Sequence, residues 1–366
     1  MEQRKKDVLL VTVMALMLAV ITGCVWFGRP RDYSDSERRV LAQWPELTAE
    51  SLLSGAFMDK FEGYAQDQFP FRDSFRSLKA MTELGVFAKM DNNQLYVSQG
   101  HLSKLEYPLR ENMLDHAARR FSWIYETYLK DSGAKVYFSI VPDKNYFLAQ
   151  DRLTLDYAGL AELMRTKTSY MEYVDIWPAL EQEDYYRTDT HWRQERLGDV
   201  ASILAEAMGV ELKADYLINE LDTPFYGVYT GQAALPVIPD TIYYLTNEIL
   251  ENCRVTSYDT GKPVEKEVYD KKAAKGKDPY EMFLSGSDAL LVVENPLAQT
   301  QRELIVFRDS FGSSLIPLLI EGYSKVTLVD IRYIQSGMLG NFIGFEDRDV
   351  LFLYSTLLLN NSLALK

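Results

Sequence analysis

Hydrophobic positions along the chain fall into three regimes. From Val8 to Phe27 (VLLVTVMALMLAVITGCVWF) they form an unbroken run of 20 residues without a charge. At about 1.5 Å per residue this run matches a hydrocarbon core of about 30 Å. Between Gly55 and Met90 apolar residues recur at helical spacing, interrupted at Phe69-Pro70-Phe71, which predicts two helices hinged at Pro70 with Asp73 as a cap of the second. Beyond Glu111 the text alternates between helical and strand character. Helices are predicted over 111–130, 157–167, 193–208 and 311–321, and strands over 134–141, 171–176, 303–307, 325–330 and 349–354. Strands separated by helices of this length pair in parallel through right-handed crossovers. The alternation is lost over about residues 211–296, a stretch rich in tyrosine and threonine, with prolines, Gly227, Gly231 and Gly261, and a lysine-dense loop at Lys271–Lys277; it reads as a β-rich insertion.

The apolar run sets the topology. Arg4, Lys5 and Lys6 precede it, so the positive-inside rule leaves the N-terminus in the cytoplasm and everything after Gly28 outside. The competing reading is a cleaved signal, because Ile21-Thr22-Gly23-Cys24 has the form of a lipoprotein cleavage box with Cys24 as the lipidated residue. Either outcome ties the rest of the chain to the outer face of a membrane. The expected organisation is a cytoplasmic tip and anchor over 1–28, a stalk and helical juxtamembrane segment over 29–95, and an α/β domain over 96–366. Residues 29–53, with prolines at 30 and 45, read as a spacer.

Composition narrows the chemistry. The 366 residues carry 39 basic and 53 acidic side chains, a net charge of −14, so the surface repels phosphate backbones and nucleic-acid binding is not expected. Two cysteines, Cys24 and Cys253, make a disulfide framework improbable and a CxxC site impossible. With only His101, His116 and His191, no multi-histidine metal centre and no cofactor are expected.

Two segments carry candidate chemistry. In Tyr186-Arg187-Thr188-Asp189-Thr190-His191-Trp192, residues i and i+2 of an extended loop point the same way, so the Asp189 carboxylate can approach the His191 ring. A carboxylate on Nδ1 fixes the imidazole tautomer and stabilises the cation formed when Nε2 takes a proton. The bland alternative is a buried pair that satisfies local backbone groups. The second segment, Leu304 to Ser314, is an apolar strand that ends in Arg308-Asp309-Ser310-Phe311-Gly312 and continues as a helix. Ser310 then stands at the carboxyl end of a parallel strand, where open α/β sheets bind ligands, or serves simply as an N-cap. As a nucleophile it needs a histidine base, and His191 is the histidine with an orienting partner. Lys144 and Asn145, just after the strand ending at Val141, and Arg332, after the strand ending at Asp330, are candidates for polarising a carbonyl, with a solvated loop as the competing reading. Trp192 is a substrate-binding candidate. Ser313, Ser314, His101 and His116 are weaker ones. The 24 tyrosines would suit stacking on sugar rings, although they also fill half-buried surfaces.

Four motifs in order, Phe61-Glu62 with Asp67-Gln68-Phe69-Pro70-Phe71-Arg72-Asp73, Asp189-x-His191-Trp192, Arg308-Asp309-Ser310-Phe311-Gly312 and Val329-Asp330-x-Arg332-Tyr333, resemble those of the DHHW proteins. These are relatives of the alginate O-acetyltransferases of the AlgJ and AlgX type, and the likeness covers nearly all of the chain after residue 35. It implies an SGNH-hydrolase-like α/β fold, a parallel sheet flanked by helices. It also implies a membrane-tethered extracytoplasmic enzyme that moves an acetyl group onto a polysaccharide hydroxyl, with Ser310 as nucleophile, His191 as base and Asp189 as orienter. A multi-spanning membrane-bound O-acyltransferase would supply the acyl group. The chain departs from the motif at Thr190, where the family has a second histidine. Two other readings stay open: a carbohydrate esterase using the same triad, and a non-catalytic glycan-binding or envelope scaffold protein.

Overall fold

The computed structural model of the protein describes residues 2–148, 153–213 and 215–366, and divides into two compact units. The first comprises residues 1–93 together with Thr230–Pro236; the second holds Gln94–Tyr229 and Val237–Lys366.

In the first unit helix α1 (Glu2–Phe27) contains the apolar run, and its Arg4–Val25 portion is long and apolar enough to cross a bilayer. A two-stranded ribbon, β1 (Tyr33–Ser34) with β2 (Arg39–Val40), precedes three helices: α2 (Ala49–Leu53), α3 (Ala56–Asp67) and α4 (Arg72–Met81). The interruption at Phe69–Phe71 separates α3 from α4, as the spacing predicts. The residue that precedes α4 is Phe71, in a left-handed conformation at φ 56°, whereas Asp73 lies within the first turn and accepts from Ser36 Oγ rather than capping the helix.

Residues 29–53 are more than a spacer. Glu37 takes ion pairs from Arg39, Arg72 and Arg76, and Asp67 takes Arg39 as well as the Ala42 N–H, so the ribbon is bound to α3 and α4 by a charged network. The Arg39 guanidinium holds Asp67 down to about 2, against the opposing effect of burial. Thr230–Pro236 joins this unit through Arg76 Nη2 donating to the Gly231 carbonyl at 2.7 Å and Asn92 Nδ2 donating to the Ala233 carbonyl at 3.1 Å.

The second unit opens with a hairpin, β3 (Leu95–Ser98) and β4 (His101–Lys104), and helix α5 (Glu111–Ile124), which runs on to Leu129 as a wider turn before Gly133 breaks it at φ 75°. Strands β5 (Lys135–Val141) and β6 (Glu172–Tyr173) follow, with a separate ribbon β7 (Leu217–Glu220) and β8 (Tyr243–Thr246). Then come β9 (Arg254–Ser257), β10 (Val264–Lys266), β11 (Leu290–Glu294), β12 (Glu303–Arg308), β13 (Lys325–Val329) and β14 (Asp349–Ser355). Eight of these strands form one sheet in the order β10-β9-β11-β13-β12-β14-β5-β6.

From β13 to β6 all pairings are parallel, in line with the βα alternation of the sequence. The region over 211–296 is β-rich as expected, but three of its strands are not a separate module. They extend the same sheet, with β11 antiparallel to β13 and β9 antiparallel to both β11 and β10.

The inner parallel strands β12, β13 and β14 are buried on both faces, which is why they read as continuous apolar runs rather than alternating ones. Successive residues serve two cores. Leu304, Val306, Leu351 and Leu353 pack on the side of the helix Gly198–Met208, and Ile305, Phe307, Val350 and Phe352 pack on the side of α5 and the helix Tyr157–Lys167. This sandwiching fixes the carboxyl ends of β5, β12 and β14 side by side, and the candidate residues follow those ends.

Candidate active site

Residue 310 follows β12 directly. Asp309 makes the exit turn rigid: its Oδ1 accepts the Phe311 N–H at 3.0 Å and its Oδ2 accepts the Ser355 N–H at 2.8 Å, so the end of β12 is tied to the end of β14. Ser310 precedes the short helix Phe311–Leu315 with φ −63° and ψ −21°, and its side chain does not cap that helix. Its Oγ–H instead reaches His191 Nε2 at 2.7 Å. His191 Nδ1–H in turn donates to Asp189 Oδ1 at 2.6 Å, and the His191 N–H donates to the same oxygen at 3.0 Å. A hydroxyl, an imidazole and a carboxylate thus form one chain of hydrogen bonds linking segments 119 residues apart. In this arrangement the imidazole can take the hydroxyl proton while the carboxylate stabilises the resulting cation.

The loop that carries Asp189 and His191 is held from many directions. The Tyr186 N–H donates to the His191 carbonyl at 3.1 Å, closing the loop on itself. Asp240 accepts the N–H groups of Arg187 and Thr188 at 3.0 and 2.7 Å, and the Thr188 hydroxyl at 2.6 Å. Val228 N–H donates to Asp189 Oδ2 at 2.7 Å, so the carboxylate oxygen that does not face the ring is also satisfied. Gly227 permits this approach, since an added Cβ there would stand 2.4 Å from both the Asp189 Cβ and the Thr188 carbonyl. Burial would raise the Asp189 pKa, but the His191 ring and these hydrogen bonds prevail and hold its carboxyl well below the usual carboxylate range.

Tyr280 completes the surround of the imidazole. Its ring lies parallel to that of His191, with centroids 3.8 Å apart and 8° between the planes, and its hydroxyl bonds to Ser314 Oγ at 2.8 Å and to the Ser310 carbonyl at 3.3 Å. One side chain therefore touches both the histidine and the serine segment.

The remaining candidates are engaged elsewhere. Lys144 is buried, and its Nζ donates to the carbonyls of Tyr186, Arg187 and Asp189 at 2.9, 3.2 and 2.6 Å. Burial pushes its ammonium down to about 7, opposed by Asp189, Asp240 and Asp143. Three N–H···O contacts need all three protons, so this geometry is that of the charged form. Lys144 is a clamp on the loop, and neither it nor Asn145 is the solvated loop residue of the competing reading. Asn145 is buried too: its Nδ2 donates to Thr154 and Tyr157, and its Oδ1 accepts from the Tyr96 hydroxyl.

Arg332 is paired with Asp330 through Nε and Nη2. Trp192 is fully buried and its indole N–H donates to the Phe311 carbonyl at 3.0 Å, so it braces the serine helix rather than facing a ligand. Ser313 and Ser314 are buried and bonded to the Gly286 carbonyl and to Tyr280. His101 is buried, with its pKa lowered to about 4 chiefly by burial, and His116 bonds to Ser362. Thr190, in place of a second histidine, pairs with the Tyr229 hydroxyl at 3.0 Å. Among the described residues no cluster of His, Cys, Asp and Glu suited to a metal ion occurs.

Sequence reasoning missed Tyr280, Asp240, Gly227 and Val228. Val228 acts through a backbone N–H and Gly227 through a close approach, for which no residue pattern exists, and Asp240 and Tyr280 lie in the stretch where periodicity is lost.

No family model matches the chain, and no curated protein matches it. Solved structures do. A DHHW family protein from Eubacterium siraeum superposes with a TM-score of 0.62 at 21% identity, over 74% of this chain and 93% of its own. PatB1 of Bacillus cereus, determined with a sulfonyl adduct, gives 0.59 at 17% identity over 72% and 95%. The O-acetyltransferase domain of Pseudomonas putida AlgJ gives 0.46 at 14% identity over 73% and 92%. The chain thus shares the fold of the DHHW protein and of PatB1, and that fold is the one the sequence motifs led us to expect.

Proposed function

We propose that the protein is an O-acetyltransferase, anchored to the membrane by α1, that modifies a cell-surface polysaccharide outside the cytoplasm through Ser310, His191 and Asp189. The observation that carries this reading is the Ser310 Oγ to His191 Nε2 distance of 2.7 Å, with the other ring nitrogen on Asp189 at 2.6 Å. The four motifs shared with the DHHW proteins support the choice of acyl chemistry, and the apolar helix Arg4–Val25 supports the tether.

In this reading Ser310 Oγ attacks the carbonyl of an acyl donor as His191 Nε2 takes its proton. The bond to the leaving group breaks, His191 returns the proton to that group, and an ester remains on Ser310. A sugar hydroxyl then gives its proton to His191 and attacks the ester carbonyl, and Ser310 Oγ recovers the proton as it leaves. Asp189 stays ionised throughout, a role to which its lowered pKa is suited. The base contributes about 10²–10⁴-fold. A membrane-bound O-acyltransferase is the proposed acyl supplier.

The test is incubation of the protein with an acetyl ester labelled in the acyl group and with oligosaccharides. Label on sugar is expected, and free acetate alone would mean hydrolysis instead. Reaction of Ser310 with a fluorophosphonate, lost in His191→Ala, would identify the nucleophile independently; equal labelling in that variant would remove His191 from the mechanism.

A further inference from the structure

Helix α4 carries a row of exposed apolar side chains while its two arginines are turned inward. Arg72 and Arg76 point into the first unit, where they pair with Glu37, and Ala80 is fully buried, while Asp73, Ser74 and Lys79 are exposed. Its apolar residues face outward: Phe71 is 76% exposed, Phe75 50%, Leu78 56% and Met81 46%. The spacing of 71, 75, 78 and 81 makes these one continuous stripe on a helix. A surface helix of a water-soluble body has the opposite arrangement, so this stripe is matched to an apolar surrounding.

The position of the stripe identifies that surrounding. The turn that leads from α3 into α4 is fastened, at the C-cap of α3, to the segment that leaves α1. The Arg31 N–H donates to Gln68 Oε1 at 2.9 Å, and Gln68 Nε2 returns to the Arg31 carbonyl at 2.8 Å, across 37 positions of sequence. Cys24 and Gly28, in the last turn of α1 and just after it, line one cavity with Phe69, Pro70 and Phe71. Phe71 therefore lies at the level where the apolar helix ends, beside Arg29 and Arg31, and it is presented there in a left-handed conformation that is costly for a bulky residue.

We propose that the α4 stripe, Phe71, Phe75, Leu78 and Met81, beds into the outer leaflet beside α1, so that the first unit is a second, interfacial membrane contact and not a free stalk. This inference rests on the reading of α1 as a membrane span. Aromatic and aliphatic side chains seated at the headgroup boundary, with cations at the same level, fit the chemistry of an interfacial helix on a phospholipid surface.

The experiment uses the full chain with Cys24 and Cys253 changed to serine and one environment-sensitive fluorophore attached at Phe75→Cys, Leu78→Cys or Val20→Cys. Each labelled protein is reconstituted in phosphatidylcholine–phosphatidylglycerol vesicles with or without a nitroxide-bearing lipid, and is titrated separately with iodide. Quenching of about two-fold or more by the nitroxide lipid at all three positions, with protection from iodide, is expected. Val20 quenched while 75 and 78 respond only to iodide would overturn the proposal and leave the span standing. Probes at 75 and 78 shielded from both quenchers would also overturn it, since a protein surface then covers the stripe. No lipid quenching even at Val20 would dismiss the span and the proposal together.

Discussion

The loop bearing Asp189 and His191 and the turn bearing Ser310 meet within hydrogen-bond distance, yet they are fixed by different means. Ser310 inherits its place from β12, whose register with β13 and β14 is set by apolar side chains packed on both faces of the sheet. Asp309 ties the turn to β14, and Trp192 and Tyr280 add hydrogen bonds to the carbonyls of Phe311 and Ser310. Asp189 and His191 stand on no strand of the sheet. Their backbone is held by Lys144, Asp240, Val228 and the Tyr186 N–H, all polar contacts and most of them buried. Sheet packing is cooperative and tolerant of a single change, whereas a buried polar network loses heavily when one member leaves a partner unsatisfied. The histidine half is therefore the more fragile side of the site.

Substitutions can break this contrast, beginning with the largest effect. Ser310→Ala removes the proposed nucleophile and is expected to lower acetyl transfer by about 10⁶-fold. The thermal unfolding midpoint should stay unchanged, because the sheet and not the hydroxyl holds the turn. Asp189→Asn should cost about 10⁴-fold through the wrong tautomer of His191. It should also flatten the pH dependence of stability. Asp189 has a folded pKa below its unfolded value, so its contribution is present above about pH 4 and is lost as pH falls. Urea unfolding of wild type and variant between pH 3 and 7 measures that difference.

Lys144→Met leaves the Tyr186 and Asp189 carbonyls without that donor, while the Arg187 carbonyl keeps the Leu102 N–H, so it should destabilise the fold by about 3 kcal/mol while lowering transfer through misplacement of the loop. A loss of activity with an unchanged unfolding midpoint would show that the clamp is not structural. Tyr280→Phe keeps the ring on His191 and loses only its hydroxyl contacts, an effect of about 1 kcal/mol, and Tyr280→Leu should cost more because the stacked face is gone. Comparison of kcat/KM for the two variants separates ring from hydroxyl.

The same division explains what could be read from the sequence. Ile305, Val306 and Phe307 announce a strand through composition alone, and Asp309-Ser310 at its end marks the exit, so the serine segment is legible locally. Asp189 and His191 are legible because two residues of one loop share a direction. What supports them is not. Lys144 clamps carbonyls 42 to 45 positions away, Val228 offers a backbone N–H that almost any residue supplies, and Tyr280 arrives from a segment without periodicity. The antiparallel strands β9 to β11 escaped for a related reason. Single strands joined by irregular loops carry no βα rhythm, so their membership in the main sheet follows from β13 offering a free edge to β11 rather than from their own pattern.

Val228 and Tyr229 hold the Asp189 loop, and the next residue of the chain, Thr230, already belongs to the other unit, to which Pro236 still belongs. The unit with the apolar helix and the unit with Ser310, His191 and Asp189 are thus interleaved along the polypeptide, and no single cut separates them. A protein shortened to begin at Gln94 would keep the sheet but strand seven residues whose companions Arg76 and Asn92 had been removed, immediately beside the amide that fastens Asp189. Loss of turnover in such a fragment would report the orphaned loop before it reported anything about the membrane.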